Sequence, residues 1–433
     1  MPKRLKQTLA IALGCAAALA AVPVVAHAAT GMEIAVQDDP IFTSLSYYNR
    51  DKALSQAMQL HATRIRVNVT WTSVLGRQGR SRKAPRNPKY DFGAYDGIVN
   101  AAAAKGLAVQ FALSGPAPAF ATANHKPGPV GPKASFFAAF ARAVAQHFQG
   151  KVDRYSIWNE PNYAGWLAPQ SRAPAIYRAL YTAGYSAIKG ADPNAQVLIG
   201  ETSPYGLKAA TPPLQFLRGV TCTNSSWRPV GHCAPLKADG YAHHPYDFAH
   251  PPTFHYPGAD NVTLSGIGRL TGALDKLAAR HVLATPAGKS LDVYLTEDGY
   301  FANGKYKVSP STQAKRLTQA FQIAQANPRV REMTQYLLVQ PRGKFAFFDT
   351  SILDKRGHPR PAFKALAKWA ASAARSGKIA AHPTSSSGSS SGSGGSSSGG
   401  GSSSGGGSSG GGGGTSPPPP PNCSPLPVCP PSP

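Results

Sequence analysis

The fold is first indicated by residues 152–166, which read V-D-R-Y-S-I-W-N-E-P-N-Y-A-G-W. Residues 155–158 form a short run of strand type that ends abruptly at Asn159 and Glu160. The carboxyl ends of the strands carry the chemistry in a parallel α/β barrel, so an amide and a carboxylate at this point are candidate site residues. The alternative is a helix N-cap, which accounts for Asn and Glu but requires neither the Trp before them nor the Pro-Asn after them.

A second strand-like run ends in a carboxylate much later in the chain. Residues 291–296, L-D-V-Y-L-T, alternate in polarity and are followed by Glu297, Asp298, Gly299 and Tyr300. The alternative for Glu297 is an ordinary solvated glutamate at a strand end. A pair of strand-end carboxylates on one barrel rim is stronger evidence for a site than either member alone.

From Gly31 onward the chain alternates strand-like and helix-like stretches, which predicts parallel strands joined by helical crossovers. Strands are predicted at residues 32–36, 63–69, 107–113, 155–158, 195–200, 238–242, 291–296 and 333–339. Helices are predicted at residues 49–61, 98–105, 136–148, 176–189, 267–280, 312–326 and 362–374. We therefore predict an α/β protein with a (β/α)8 TIM barrel at residues 29–377, since such a barrel needs about 250 residues and rim loops account for the rest.

Two motifs in these strands resemble a known enzyme clan. W-N-E-P, residues 158–161, resembles the acid/base signature of retaining β-glycosidases of glycoside hydrolase clan A, notably families 5 and 39 and secreted bacterial members. L-T-E-D-G-Y, residues 295–300, is similar to the clan's nucleophile signature on the seventh strand. The resemblance covers Gly31 to about Ser376 and implies that Glu160 is the acid/base and Glu297 the nucleophile of a double displacement.

Further strand-end residues fit the same resemblance. Arg66 is expected to reach the nucleophile carboxylate and lower its pKa, while the acid/base is expected to have a raised pKa. His244 and Tyr246 fit the His-x-Tyr that the clan has at the end of strand six, although a turn-forming His-Pro with a surface His explains the same letters. Asn159 is expected to hold the 2-hydroxyl of the sugar.

The predicted rim also carries candidate sugar-binding residues of other types. Trp71 and Trp166 are candidate aromatic platforms, and for Trp71 packing at the rim is an equal alternative. Gln340 is a substrate-binding candidate because it follows the predicted eighth strand, where many members of the clan have Trp. Phe120, after the third strand, also occupies a position where relatives often have Trp. Glu201, after the fifth strand, is a third rim carboxylate that no signature surrounds.

The two ends of the chain differ from the barrel region. Residues 1–28 have a basic start, an apolar run and a small-residue end, which predicts a signal peptide and a secreted, extracellular protein. A lipoprotein signal at Cys15 lacks the expected Leu. Residues 378–416 predict a flexible Ser/Gly-rich linker that leaves the C-terminal tail disordered, and residues 417–433 are a stiff Pro-rich tail. Beyond residue 28, no segment has the roughly 18 apolar residues of a membrane span.

The cysteines agree with export. Four remain after the signal peptide, and their spacing predicts two local disulfides, Cys222 to Cys233 and Cys423 to Cys429. A zinc site that uses His232 is the alternative, but cysteines split between a domain and a remote tail suit zinc poorly. We expect neither a metal nor an organic cofactor.

The charge balance points to acidic partners. A formal net charge of +25 would draw the protein toward acidic polymers, such as an anionic cell-wall polymer or cell surface. The cations are scattered apart from one cluster between Arg77 and Lys89, and we find no nucleic-acid-binding motif. We expect no nucleic-acid partner, and we expect a monomer.

The predicted function is therefore that of a secreted retaining glycoside hydrolase acting on β-glycosidic bonds of a polysaccharide or oligosaccharide. One alternative is a catalytically inactive barrel that binds polysaccharide, which would have no reason to keep both Glu motifs. Another is a cell-wall transglycosylase, which uses the same residues with a sugar in place of water. Cellulose, mannan, xylan and an acidic exopolysaccharide all remain open as substrates.

Overall fold

The computed structural model describes residues 31–381. In this range eight parallel strands close into a barrel in which each strand pairs with the next along the chain and the last pairs with the first. The barrel strands are β1 (Glu33–Gln37), β2 (Arg64–Thr70), β3 (Ala108–Ser114), β4 (Arg154–Ile157), β5 (Gln196–Thr202), β6 (Gly240–His243), β7 (Val293–Asp298) and β8 (Val330–Tyr336).

A helix of 9 to 19 residues follows each barrel strand, so the predicted (β/α)8 TIM barrel is confirmed. These helices are α1 (Arg50–Gln59), α2 (Gly93–Ala103), α3 (Ala134–His147), α4 (Ala173–Ala191), α5 (Pro213–Thr221), α6 (Ile267–Ala279), α7 (Pro310–Ala326) and α8 (Pro361–Arg375). Because every loop from a strand to its helix leaves the carboxyl end of the strand, these loops form one rim.

The helix starts follow local capping rules. Asn49 accepts a hydrogen bond from the backbone N–H of Lys52 before α1, and Ser309 does the same for Thr312 before α7. Helices α5, α7 and α8 have Pro in their first turn, where its missing N–H is no loss. The sequence analysis did not predict α5, which has only 9 residues.

The amino-terminal end of the barrel is filled by buried charges. Arg154 on β4 contacts Glu332 on β8 at 2.6 Å, and Arg64 on β2 contacts Glu33 on β1 at 3.1 Å. Strands β4 and β8 are not neighbours in the barrel, so the first contact crosses its interior. This ionic cluster occupies the end of the barrel opposite the rim.

The end of β8 differs from the prediction. The strand spans Val330–Tyr336, whereas the sequence analysis placed it at residues 333–339. Residues 337–339 are buried like a strand, but the N–H groups of Leu338 and Val339 donate to the Asp38 carboxylate instead of to a neighbouring strand. Gln340 therefore does not end β8, and its side-chain oxygen accepts a hydrogen bond from Arg360 at 2.9 Å.

The predicted disulfide between Cys222 and Cys233 is present, with a Cα–Cα distance of 6.1 Å. This bond removes both thiols from the zinc alternative. Within residues 31–381 no helix is both long and apolar enough to cross a membrane. The predicted signal peptide, the Ser/Gly-rich linker beyond residue 381, the Pro-rich tail and the Cys423 to Cys429 bond lie outside the described residues.

Candidate active site

The turn after β4 presents Glu160 at the rim. Trp158 and Glu160 have left-handed backbone conformations, with φ of 71° and 38°, so the chain turns sharply as it leaves the strand. Asn162 holds this turn, since its side chain accepts from the N–H of Ser203 and donates to the Ser203 carbonyl. The helix N-cap alternative is wrong, because the next helical residues begin at Gln170.

Glu297 lies near the end of β7, where two side chains hold its carboxylate. Arg66 of β2 is fully buried and donates from Nη1 to Glu297 Oε1 at 2.7 Å. Tyr246, on the loop after β6, donates to Glu297 Oε2 at 3.2 Å. Arg66 also donates from Nη2 to Asn159 Oδ1 at 3.3 Å. The structure thus brings together four of the predicted site residues, and two more, Glu160 and His244, join them.

His244 lies between the two candidate catalytic carboxylates. Its Nδ1 is 3.1 Å from Glu160 Oε1 and 3.7 Å from Glu297 Oε2. The two oxygens are therefore no farther apart than the sum of these distances. This upper bound is compatible with the roughly 5 Å spacing of retaining glycosidases and lies near the lower limit of the roughly 6.5–9.5 Å range of inverting ones. The alternative of a surface His is wrong, because His244 is fully buried.

Glu201 of β5 was expected only as a third rim carboxylate, and its contacts with the other site residues were not predicted. It is fully buried, and its Oε2 lies 2.9 Å from Arg66 Nη2, 2.7 Å from His244 Nε2 and 2.8 Å from Thr296 Oγ1, while Ser156 Oγ donates to Oε1. A left-handed φ of 51° at Glu201 accompanies a register shift between β5 and β6. The Arg and His that contact it were visible in sequence, but no local pattern joins them to β5.

The burial and charges of the site shift its pKa values in opposite directions. Burial alone would raise the pKa of Glu201, but the charge of Arg66 and the bonds from His244 and Ser156 bring it to about 2. Burial would lower the pKa of His244, but Glu297, Glu160 and Glu201 raise it to about 10.

The expected lowering of the Glu297 pKa is wrong. Burial raises the pKa of this carboxyl, and the charges of His244 and Arg66 only partly oppose that effect. The charges of Glu160 and Glu201 act in the same direction as burial.

Trp71 does not offer a sugar platform. It is 1% exposed and begins a short helix, where its ring stacks on Phe140 at 5.5 Å and meets Phe137 edge-on. The apolar surface of α3 accounts for this burial, so the packing alternative is correct. Trp166 is partly exposed, and its carbonyl accepts a hydrogen bond from Trp158 Nε1 at 3.0 Å.

Two groups of aromatic residues border the carboxylates instead. Tyr246 joins a cluster of rings from the loops after β6, β7 and β8 and from the last residue of β8, named here the aromatic wall: Tyr246, Phe248, Phe301, Tyr306, Tyr336 and Phe348. On the Glu160 side, Tyr205 stacks on Tyr256 at 4.6 Å. A depression beside Glu160 is lined by Tyr163, Ser203, Pro204, Tyr205, Leu207 and Ala210.

No group of three or more His, Cys, Asp or Glu among the described residues is arranged to hold a metal ion. The arrangement supports acid, base and nucleophilic chemistry by carboxylates, with one imidazole between them.

Comparison with known proteins gives the fold. No protein-family model matches the chain, and no curated protein does. Among solved structures it is similar to a family 39 glycoside hydrolase from Bacteroides cellulosilyticus WH2, with a TM-score of 0.58 and 19% identity over 79% of this chain and 64% of that one. It is also similar to a monomeric β-xylosidase from Caulobacter crescentus CB15, with a TM-score of 0.51 and 17% identity over 78% of this chain and 69% of that one.

A third likeness is to xylanase 10B from Thermotoga maritima, with a TM-score of 0.50 and 14% identity over 80% of this chain and 97% of that one. The chain spans less than two thirds of the length of the Bacteroides enzyme. The chain shares the (β/α)8 barrel fold of these glycoside hydrolases.

Proposed function

We propose that this protein is a retaining glycoside hydrolase that cleaves β-glycosidic bonds by double displacement. The observation that carries the proposal is that Glu160 and Glu297, from the ends of β4 and β7, both lie against His244 Nδ1, at 3.1 and 3.7 Å. Neither the inactive barrel nor a structural ion pair requires two carboxylates at this short separation on the open rim.

In the first step Glu297 attacks the anomeric carbon as Glu160 gives its proton to the leaving oxygen. Arg66 and Tyr246 each hold one oxygen of Glu297, so the carboxylate is oriented before the sugar arrives. The carbon–oxygen bond of the glycoside breaks and a glycosyl ester of Glu297 forms.

In the second step Glu160 accepts a proton from water, which attacks the same carbon and releases Glu297. Each step inverts the anomeric centre, so the overall reaction retains its configuration. Asn159 accepts a hydrogen bond from Arg66, which leaves its N–H groups to bind the sugar 2-hydroxyl. The chemistry uses no metal or organic cofactor.

The substrate is proposed to be an extracellular or cell-wall polysaccharide, and the protein a secreted one. The signal-like segment at residues 1–28 and the disulfide in the barrel domain support export. The loop from β2 to α2 lies on the catalytic rim and carries a set of exposed cations, named here the basic loop: Arg77, Arg80, Arg82, Lys83, Arg86 and Lys89. Such a loop favours an acidic polymer as the partner.

The test is hydrolysis of a panel of aryl β-glycosides and β-glycans by the protein and by Glu160→Ala and Glu297→Ala. We expect both variants to lose several orders of magnitude in rate. Azide should restore turnover, giving a β-glycosyl azide with Glu160→Ala and an α-glycosyl azide with Glu297→Ala. The control is Asp51→Ala, which removes an exposed carboxylate from α1.

Full activity in either Glu variant would disprove the assigned roles. A folded protein that binds a glycan but hydrolyses no member of the panel would favour the inactive barrel. Longer oligosaccharides among the products, in place of hydrolysed ones, would identify a transglycosylase, because the two reactions share every step up to the glycosyl ester.

A further inference from the structure

Glu201 is enclosed by hydrogen-bond donors from four other strands or strand ends. Arg66 of β2, Ser156 of β4 and Thr296 of β7 each donate to its carboxylate. His244, which directly follows β6, places Nε2 2.7 Å from Glu201 Oε2. A carboxylate that receives these donors is ionised and can only accept, so Nε2 of His244 must carry a hydrogen.

The other nitrogen of His244 faces Glu160. Nδ1 lies 3.1 Å from Glu160 Oε1, within hydrogen-bond distance. If both atoms lacked a proton, two lone pairs would oppose each other in a buried site. One proton therefore lies between them, on either His244 or Glu160.

We propose that Glu201 is a positioning residue that fixes the Nε2-protonated form of His244. It thereby keeps one proton on the pair of His244 and Glu160, and this is the proton that Glu160 delivers to the leaving oxygen. The catalytic sense of this proposal rests on the proposed function. The protons balance, because the pair loses one proton when the glycosidic bond breaks and regains one from water. Glu160 becomes negatively charged as Glu297 loses its negative charge on esterification, so the net charge of the site is unchanged.

The groups around His244 are consistent with this assignment. Glu160, Glu201 and Glu297 face it from β4, β5 and β7, and their charges favour a protonated imidazole. Its neighbour His243 behaves differently, because burial lowers the pKa of His243 to about 3 and its ring bonds to Thr202 and to the Val262 carbonyl. The surroundings of these two adjacent histidines thus shift their pKa values in opposite directions.

Tyr246 completes the groups near the pair, since its ring lies edge-on to His244 and its hydroxyl is kept neutral by burial, which raises its pKa. Arg66 and His244 both contact Oε2 of Glu201. Removing the Glu201 charge should therefore act on His244 through their contact, and on Glu297 both through the shared Arg66 and through the loss of repulsion between the two carboxylates.

The test is Glu201→Gln, which keeps the shape of the side chain and removes its charge. We expect kcat to fall about 10- to 100-fold, less than the roughly 10²- to 10⁴-fold that a general acid itself contributes. The alkaline limb of the kcat/KM profile should move down by about 1–2 pH units, because His244 releases its proton earlier. The matched control is Glu332→Gln, an equally buried carboxylate in the amino-terminal ionic cluster, which should leave the limb in place.

A second measurement does not depend on glycosidase activity. Nitrogen NMR of histidine-labelled protein, with His244 assigned by His244→Gln, reports whether Nδ1 and Nε2 carry hydrogens. At pH 8 the wild type should show a hydrogen on Nε2 of His244 and a shared or bound proton at Nδ1, and Glu201→Gln should show a neutral ring.

An unchanged His244 titration in Glu201→Gln would overturn the proposal, and so would a shifted titration with an unmoved alkaline limb. If the wild type hydrolyses no β-glycoside, the proposed function fails while the NMR titration still decides the role of Glu201. If Glu201→Gln does not fold, the variant His244→Gln removes the imidazole that shares this proton with Glu160. Its alkaline limb must also move down, and an unmoved limb would overturn the proposal.

Discussion

Two clusters of charged side chains lie at the two ends of the barrel, and different cations balance them. The amino-terminal cluster pairs two arginines with three carboxylates, namely Arg64, Arg154, Glu33, Asp153 and Glu332. The cluster at the rim pairs one arginine and one histidine with three carboxylates, namely Arg66, His244, Glu160, Glu201 and Glu297. Each cluster thus contains two basic and three acidic side chains.

The difference between arginine and histidine separates structure from chemistry. Arginine stays charged in proteins, so the amino-terminal cluster is an ion network that links strands across the barrel. An imidazole can hold or release a proton, and at the rim it stands between the two candidate catalytic carboxylates. The same fold thus holds a static ion network at one end and, at the other, the group through which we propose that a proton is shared.

The largest expected effects come from removing one arginine at each end. Arg66→Met should reduce kcat/KM by several orders of magnitude, because Glu297 loses the donor that orients and ionises it. Arg154→Met should lower the free energy of unfolding by about 3–5 kcal/mol, because it removes one of the two arginines that balance the charges of Glu33 and Glu332. Urea unfolding and steady-state kinetics on both variants measure this contrast. If the folded fraction of Arg154→Met had as little activity per molecule as Arg66→Met, the functional distinction between the two ends of the barrel would be contradicted.

A smaller effect should appear in the pH dependence of stability. The lowered pKa of Glu201, about 2, stabilises the fold above its ordinary value of 4.5, and this contribution is lost as the pH falls through 2. The raised pKa of His244, about 10, stabilises it below the ordinary value of 6.5, and this contribution is lost as the pH rises through 10. The stability difference between wild type and Glu201→Gln should therefore be largest between pH 4.5 and 6.5 and decline on both sides.

The matched variant for this experiment is Glu33→Gln at the amino-terminal end. Burial opposes the charges of Arg154 and Arg64, which still lower the pKa of Glu33 to about 2. Because arginines and not a histidine balance it, the stability difference for Glu33→Gln should decline only toward acid. Urea midpoints between pH 2 and 10 test both variants. An alkaline decline of equal size in Glu33→Gln would contradict the comparison.

The smallest effect is expected from the basic loop. Replacing Arg80, Arg82 and Arg86 by Gln should raise KM for an acidic polysaccharide a few-fold at low ionic strength, and the effect should vanish in high salt. The control removes the same charge from the other end of the barrel, through Gln at Lys151, Arg280 and Lys289, which are also exposed. Equal changes in both triple variants would assign the effect to net charge and not to the rim.

The sequence by itself determined the barrel and its two carboxylate motifs. The strands were predicted within a few residues because apolar runs of strand type and helical periodicity are local patterns. The motif around Glu160 was equally local, since the turn that presents it follows its strand directly. The helix α5 was missed because it is short and begins at consecutive prolines.

Only the tertiary structure decided how the charges share their partners. The contacts of Glu201 come from β2, β4, β6 and β7, which are far apart in the chain, so no local pattern could reveal them. Packing likewise buries Trp71 against α3. The side chain of Asp38 binds the backbone beyond Tyr336, where β8 ends. Local sequence determines which residues reach the rim, whereas the closed barrel determines which of them share a proton, because that depends on distances across its interior.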